Sequence, residues 1–224
     1  MRSFKNRHPA ARCFIIGNGP SLRQMDLRLL RGEFTFGLNR IYLLFPELGF
    51  TTTYHVVVNP LVIEQCAEEI AALPVPKFIA WEGRDMLRPD PQTVFLRSCY
   101  TRLGFSTVPW HHIWQGATVT YVAMQLAYYM GFRQVILIGV DHRFTTRGAP
   151  NQVVISDGED TNHFSAQYFG SGFRWHLPDL EASEVAYRLA RERFRATGRE
   201  ILDATVNGKL EVFPKIQYED LFAR

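Results

Sequence analysis

The 224-residue chain carries 46% hydrophobic and 21% charged residues, which is typical of a soluble globular protein, and it contains no low-complexity segment. Its length is sufficient for one large α/β domain with a sizeable core. The formal net charge of +3 fits a phosphorylated ligand or an anionic surface better than DNA, and no nucleic-acid-binding module is visible.

Cysteine usage and the amino-terminal segment predict a cytoplasmic protein. The cysteines at 13, 66 and 99 form no C-x-x-C pair and no zinc-spaced cluster, as expected for reduced structural thiols. Residues 1–12 are basic and polar and lack the apolar core of a signal peptide. The longest apolar candidate, 119–130, does not reach membrane-spanning length.

The first predicted element is an apolar strand that runs into a glycine-rich turn, at 13–22. Gly17 and Gly19 can adopt backbone angles that other residues avoid and can let a ligand approach the main chain. Ser21 is a suitable N-cap for a following helix, and Gln24 would complete a capping box. The free N–H groups of such a helix suit a phosphate. The alternative is an ordinary βα turn that required two glycines.

Three successive predicted strands end in an asparagine, about twenty residues apart: Asn18, Asn39 and Asn59. That spacing is typical of βα units, and in a parallel sheet all three would lie at the carboxyl edge, where ligands bind near a topological switch point. An asparagine amide both donates and accepts, so it can bind a base edge or a ribose hydroxyl. The alternative is that each amide satisfies loop backbone.

The clearest predicted helix is 118–130, closed by Gly131 as its C′ glycine. Its amino-terminal residues Thr118, Val119 and Thr120 form a second candidate anion site. The apolar run 134–138 predicts a buried parallel strand. It continues into Gly139 and Asp141; the aspartate is a candidate to bind a sugar hydroxyl, a ribose or a metal, or to cap a turn.

The segment 142–178 is long, polar and aromatic and has little regular pattern, which is typical of a lid or a binding loop. It contains His163 and His176, the best candidates for a general base because histidine titrates near neutral pH. The alternative for each is a structural or exposed histidine. The adjacent His111 and His112 would point to opposite sides of an extended chain, so we predict no metal site there.

A long amphipathic helix is predicted over 179–197, with arginines at 188, 191 and 195 on one face and Arg199 just beyond its end. A face of this kind is usually solvated. The alternative is contact with an anionic membrane surface or an anionic acceptor, which would make the protein peripheral at the inner face of a membrane. Oligomer formation is left open.

The run I-G-N-G-P-S-L at 16–22, then Asn39 with Tyr42, then Asn59 with Pro60, and then the 118–130 helix leading to I-G-V-D at 138–141, resembles a known group of proteins. The group includes the bacterial sialyltransferases that use CMP-sialic acid, the motility accessory factor proteins that glycosylate flagellin, and the 6-hydroxymethylpterin diphosphokinase-like family. The resemblance extends over about residues 12–205. It implies one Rossmann-like α/β domain over 1–224, with a mostly parallel sheet, helices on both faces and a lid at about 142–178.

The resemblance to the sialyltransferases also implies site residues. The counterparts of Asn18, Asn39 and Asn59 and of the helix start at 118–120 would bind CMP, and Tyr168 would contact its phosphate. A lid histidine, His176 or His163, would be the general base. The sialyltransferases have Ser-Gly in place of Val119-Thr120, which leaves the detailed CMP contacts open. A flagellin-modifying protein would be much longer, so the chain corresponds at most to its core.

Three functions follow from these observations. The first is inverting transfer of a sialic acid or related nonulosonic acid from a CMP-activated donor to a glycan hydroxyl, which requires no metal in principle. The second is pyrophosphoryl transfer from ATP to a pterin alcohol, which needs Mg²⁺ held by carboxylates. Asp141, Asp157, Glu159 and Asp160 are the candidate ligands, and no Walker lysine motif is present. The third is a nucleotide-binding scaffold without catalysis.

Overall fold

A computed structural model of the protein describes residues 1–99, 101–146 and 148–223. A seven-stranded sheet with strand order β5-β4-β3-β2-β1-β6-β9 forms its centre. Every pairing within this sheet is parallel. The strands are β1 (Arg12–Ile16), β2 (Thr35–Leu38), β3 (Tyr54–Val57), β4 (Lys77–Ala80), β5 (Thr93–Leu96), β6 (Gln134–Ile138) and β9 (Glu200–Asp203). The predicted Rossmann-like α/β fold is confirmed.

The strand order places a topological switch point between β1 and β6. The chain adds β2, β3, β4 and β5 on one side of β1, and then returns to place β6 on its other side. Ile16 pairs with Gly37 of β2 and with Ile138 of β6, so the three strands end at the same level. Because the connections leave in opposite directions here, a crevice opens beyond the carboxyl ends of β1 and β6.

The core lies on both sides of this sheet. All residues of β1 after Arg12 are buried, and so are the last four residues of β6. Continuous burial along a strand requires cover on both faces, which is usual for a parallel sheet. Part of that cover is helix α4 (Val119–Met130), which packs against β1, β2 and β3. None of the helices in the described part of the chain is long and apolar enough to cross a membrane.

The α-helices are α1 (Phe45–Leu48), α2 (Pro60–Gln65), α3 (Ala67–Ala71), α4 (Val119–Met130) and α5 (Leu180–Arg195). The predicted helix 118–130 is confirmed: Thr118 is its N-cap, and Gly131, with φ of 92°, ends it in the left-handed conformation that glycine tolerates. Asp179 caps α5 through the backbone N–H of Ala182.

The prediction of a helix directly after β1 is wrong. That stretch consists of two 3₁₀ turns, Pro20–Gln24 and Leu27–Leu30. Met25 between them is extended, and Asp26 begins the second turn by accepting a hydrogen bond from the backbone N–H of Arg28. The α-helical register is therefore interrupted before it completes a second turn.

The segment 142–178 contains a hairpin that its sequence did not predict. Strands β7 (Val153–Ile155) and β8 (Arg174–His176) pair antiparallel. The segment is joined to the carboxyl edge of the sheet: Phe164 N–H donates to the carbonyl of Asn18 over 2.9 Å. The Gln65 side chain makes two hydrogen bonds with the backbone of Arg174.

Candidate active site

A cavity of about 170 Å³ lies in the crevice beyond β1 and β6. Five groups of residues line it: the turn after β1, the end of β2, the amino terminus of α4, the loop after β6 with part of 142–178, and the start of α5. The lining includes Gly17, Asn18, Gly19, Asn39, Thr118, Val119, Thr120, Gly139, Asp141 and His163. The tertiary structure therefore brings together most of the residues that the sequence predicts for nucleotide binding.

Both glycines of the first turn are required by the contact between the turns after β1 and β6. A Cβ on Gly17 would lie 2.3 Å from the carbonyl oxygen of Gly139, and a Cβ on Gly19 would lie 1.8 Å from Asp141 Oδ2. Gly139 itself has a φ of 65°, and a Cβ there would strike Leu22. These glycines allow the loop backbones after β1 and β6 to approach closely, and the two loops together form part of the cavity lining.

Ser21 does not cap a helix, which corrects the prediction from its sequence context. Gly19 is the N-cap residue of the first 3₁₀ turn. The Ser21 hydroxyl donates to Asp141 Oδ2 over 2.6 Å, and its backbone N–H donates to Asp141 Oδ1 over 3.2 Å. The carboxylate of Asp141 thus occupies the position where a phosphate was predicted. Ser21 is buried and does not line the cavity.

Asp141 is 5% exposed. Burial raises the pKa of Asp141, and the two hydrogen bonds from Ser21 act in the opposite direction by stabilising the carboxylate. A buried carboxylate that lines the cavity is an acceptor for hydroxyl or amine groups of a ligand.

The three asparagines that end successive strands differ in what their side chains do. Asn59 Oδ1 accepts from the backbone N–H of Leu61 and caps α2, with Pro60 in the first turn, so the loop-backbone alternative holds for this residue. Asn18 Oδ1 and Asn39 Oδ1 are buried and have no hydrogen-bond partner among the described residues. Asn39 has a φ of 48°, a conformation that asparagine adopts more readily than most residues.

The start of α4 forms one wall of the cavity. Thr118 Oγ1 accepts from the backbone N–H of Thr120 and lies 3.3 Å from the hydroxyl of Tyr187. Tyr187 is buried, and burial raises the pKa of Tyr187. The wall thus presents hydroxyls and helix-terminal N–H groups, which suit an anionic or hydroxylated ligand.

The two candidate bases lie in different surroundings. His163 lines the 170 Å³ cavity, and its Nδ1 lies 2.7 Å from Asp160 Oδ2. Because a carboxylate only accepts, Nδ1 carries the proton. The ring stacks on Tyr168 at 4.0 Å between centroids. Tyr168 is fully buried, accepts from the backbone N–H of Arg40 and is not among the residues that line the cavities, so the structure does not place it where a phosphate contact was predicted.

His176 lies in an adjoining cavity of about 400 Å³, which is also lined by Asn39, Asn59 and Asn151. The two cavities share Asn39, Ala117, Thr118, Val119 and Pro178 as walls. The His176 ring has no hydrogen-bond partner within 1–99, 101–146 and 148–223 and is partly exposed. Its nitrogen atoms are therefore available to a ligand.

Sequence reasoning missed His142. This residue lines the smaller cavity, has a φ of 54°, and its Nε2 lies 3.0 Å from Glu184 Oε1 on α5. The available signal was its position directly after Asp141 at the end of a buried strand. Its pairing with a residue 42 positions away could not be derived from that pattern.

Two of the four carboxylates considered for Mg²⁺ already have partners within the protein. Asp141 is engaged by Ser21, and Asp160 by His163 and the backbone N–H of Phe169. The described residues contain no group of three or more His, Cys, Asp or Glu that could hold a metal ion.

Two features lie outside this crevice. A larger cleft, of about 890 Å³, runs beside the 3₁₀ turns at 20–30 and contains none of the predicted site residues. On the arginine-rich face of α5, Arg191 donates to the carbonyl of Val212 and Arg188 pairs with Glu184. Arg199 donates to the carbonyl of Tyr128. These arginines thus serve intramolecular contacts, and membrane contact through them stays a prediction.

Comparison with known proteins shows a likeness of fold. No family model matches the sequence, and no curated protein matches it. Among solved structures, the fold is similar to that of a MAf glycosyltransferase from Magnetospirillum magneticum AMB-1, with a TM-score of 0.59 and 15% sequence identity over 96% of this chain. The chain spans about a third (35%) of the length of that protein. At this identity the likeness shows a shared fold.

Proposed function

We propose that the chain is a glycosyltransferase that moves a sialic acid or related nonulosonic acid from a CMP-activated donor to a glycan hydroxyl, with inversion. The observation that carries the proposal is the pair of asparagine amides at the carboxyl ends of β1 and β2, Asn18 and Asn39, which line the cavity and whose buried Oδ1 atoms have no hydrogen-bond partner among the described residues. A buried acceptor without a donor costs free energy, so an oxygen of this kind is explained when a ligand supplies the donor. The fold shared with a glycosyltransferase supports the same reaction class.

The nucleotide is assigned to the 170 Å³ cavity. Its acceptors, Asn18 Oδ1, Asn39 Oδ1 and the Asp141 carboxylate, match the donors of a cytosine amine and of ribose hydroxyls. The sugar and the acceptor are assigned to the adjoining 400 Å³ cavity, whose shared walls at Asn39 and Thr118 keep the two ligands in contact. This division leaves the bond that breaks, between the anomeric carbon and the phosphate oxygen, at the boundary of the cavities.

We assign the general base to His176. A neutral His176 ring accepts the proton of the acceptor hydroxyl as its oxygen forms the new bond to the anomeric carbon and the CMP oxygen leaves with the bonding electrons. His163 is less suited to this role, because its ring is held between Asp160 and the buried Tyr168. We assign His163 to positioning the 142–178 segment around the nucleotide.

The first experiment is calorimetric titration with CMP, CTP, ATP and ADP, each with and without Mg²⁺. Metal-independent preference for CMP supports the proposal. Mg²⁺-dependent binding of ATP would replace it with pyrophosphoryl transfer, and CMP binding without turnover of any CMP-sugar would replace it with the scaffold function. Binding of none of the four contradicts nucleotide recognition in this crevice.

Alanine substitutions of the two histidines, compared with each other, test which one is the general base. We expect His176→Ala to lower the release of CMP from CMP-sialic acid by about 10²–10⁴-fold, the usual contribution of general-base catalysis, with CMP affinity nearly unchanged. His163→Ala should lower the melting temperature, because it removes the Asp160 hydrogen bond and the Tyr168 stacking. It should reduce turnover less than His176→Ala does. The reverse pattern would transfer the base assignment to His163.

A further inference from the structure

Several of the polar groups that line the smaller cavity are acceptors. Asn18 Oδ1, Asn39 Oδ1 and the Asp141 carboxylate cannot bind a phosphate, because a phosphate presents only acceptor oxygens at neutral pH. If the nucleotide binds here, its phosphate needs donors from another part of the wall. Several of the donors that line this cavity are already engaged: Asn162 Nδ2 with Thr146, and His163 Nδ1 with Asp160.

His142 is a further polar residue that lines this cavity, and its ring makes only one of its two possible hydrogen bonds within the described residues. Its side chain is 7% exposed and is anchored on one side only, by Nε2 to Glu184 Oε1 over 3.0 Å. Nδ1 has no hydrogen-bond partner in the described ranges 1–99, 101–146 and 148–223. The backbone of His142 is left-handed, with a φ of 54°, a conformation that costs free energy for a histidine and that clusters at functional sites.

Glu184 orients the His142 ring and places a negative charge beside it. As a carboxylate it only accepts, so Nε2 carries a proton and the other ring nitrogen is the atom left for a ligand. Arg188 contacts the second oxygen of Glu184 and holds that carboxylate from the solvent side of α5. Neighbouring Arg143 also lines the cavity, which adds a second positive group next to His142.

We propose that His142 binds the phosphate of the nucleotide as an imidazolium, with Nε2–H donating to Glu184 and Nδ1–H donating to the phosphate as CMP leaves, the second ring proton being taken up from solvent when the nucleotide binds. This inference rests on the proposed function. In the transfer step the acceptor oxygen bonds to the anomeric carbon, its proton goes to His176, and the phosphate oxygen departs with the electron pair. The protonated His142 ring compensates the charge that develops on that oxygen, and Glu184 acts as its positioning residue.

The test compares CMP with cytidine, which lacks the phosphate, by calorimetry on the full chain. The unaltered protein should bind CMP more tightly than cytidine. In His142→Phe, CMP affinity should fall by about tenfold to a hundredfold, the usual loss for a hydrogen bond to a charged group, while cytidine affinity changes less than about twofold. Glu184→Gln should give a smaller loss of the same kind, and Glu192→Gln, the same substitution at an exposed position of α5, serves as its matched control.

Each outcome separates this inference from the proposed function. Equal CMP affinity in the unaltered protein and in His142→Phe overturns the phosphate role while the proposed function stands. An equal loss for CMP and cytidine overturns it as well, by assigning His142 to the nucleoside. If the unaltered protein binds neither compound, both the proposed function and this inference are wrong. Should His142→Phe not fold, the contrast between Glu184→Gln and Glu192→Gln decides, since Glu184 is partly exposed and Glu192 is exposed.

Discussion

At the scale of single residues, the side-chain amides of Asn18 and Asn59 differ in their hydrogen bonding. Both follow a strand, and both lie at the carboxyl edge of the sheet. Asn59 Oδ1 caps α2, whereas Asn18 Oδ1 is buried without a partner among the described residues. A buried acceptor of this kind costs about 1–3 kcal/mol until a donor reaches it. Under the proposed function, the nucleotide supplies the donor that Asn18 Oδ1 lacks in the free protein.

This contrast predicts opposite effects of two alanine substitutions. Asn18→Ala should lower CMP affinity by about tenfold through loss of one hydrogen bond and should not reduce the melting temperature. Asn59→Ala should reduce stability by about 1 kcal/mol through loss of the cap. Urea unfolding and calorimetry on the same samples measure both quantities. Unchanged CMP affinity in Asn18→Ala would remove this amide from the site.

At the scale of elements, strand β3 holds Asn39 in position through His55. The His55 side chain is fully buried, and its Nε2 donates to the backbone carbonyl of Asn39 over 2.8 Å. The backbone N–H of Asn39 donates to the carbonyl of Val56. Both main-chain groups of Asn39 are thus fixed by the neighbouring strand, which explains how a residue with a φ of 48° is stabilised.

The burial of His55 predicts acid sensitivity. Burial lowers the pKa of His55 to about 4, from the ordinary 6.5, because the charged ring is excluded from water. Since the folded pKa is lower than the unfolded one, the contribution of His55 is complete above pH 6.5 and is lost as the pH falls towards 4. The loss amounts to about 3 kcal/mol over this range.

Urea unfolding at pH 7 and pH 4.5 tests this expectation. His55→Gln keeps a donor near the Asn39 carbonyl and removes the titrating group, so the variant should lose less stability between the two pH values than the unaltered protein. The remaining pH dependence, to which the other histidines and the carboxylates contribute, is common to both proteins and cancels in the comparison. An identical pH dependence would contradict the assignment to His55.

At the scale of the whole molecule, Arg40 joins the 142–178 segment to the sheet. Arg40 is 6% exposed, and its Nη1 donates to the carbonyls of Tyr168 and Gln167. Its guanidinium lies 4.6 Å from the ring centroid of Phe173. The segment is thus fastened to the carboxyl edge by backbone carbonyls and aromatic faces, interactions that depend on the planar shape of arginine.

Loss of this junction should loosen the segment without unfolding the sheet. In Arg40→Met, we expect amide hydrogen exchange at residues 164–176 to accelerate by about tenfold or more, because local opening no longer breaks the buried hydrogen bonds of the guanidinium. Exchange in β1 and β6 should be unchanged, which provides the internal control. Acceleration spread evenly over the whole chain would show that Arg40 stabilises the fold as a unit instead.

Several features followed from the sequence because they depend on neighbours along the chain. Apolar runs separated by helical patterns predicted the parallel sheet, and the strand ends predicted which polar residues would share its carboxyl edge. The cap at Thr118 and the Gly131 terminus of α4 are also local, since each is determined within one helical turn. In each case the residues that decide the structure lie within a few positions of one another.

The remaining features were decided by tertiary structure because they join residues that are distant in sequence. Ser21 meets Asp141, 120 positions away, only because β1 and β6 are neighbours in the sheet, and this contact replaced the predicted helix cap. The same packing buries Tyr168, places His142 against Glu184 and leaves Asn18 Oδ1 without a partner in the described part of the chain. Sequence alone determined the residue types that reach the crevice. The strand order and the packing of 142–178 decided which of them are free to bind a ligand, because burial and hydrogen-bond partners are properties of the folded chain.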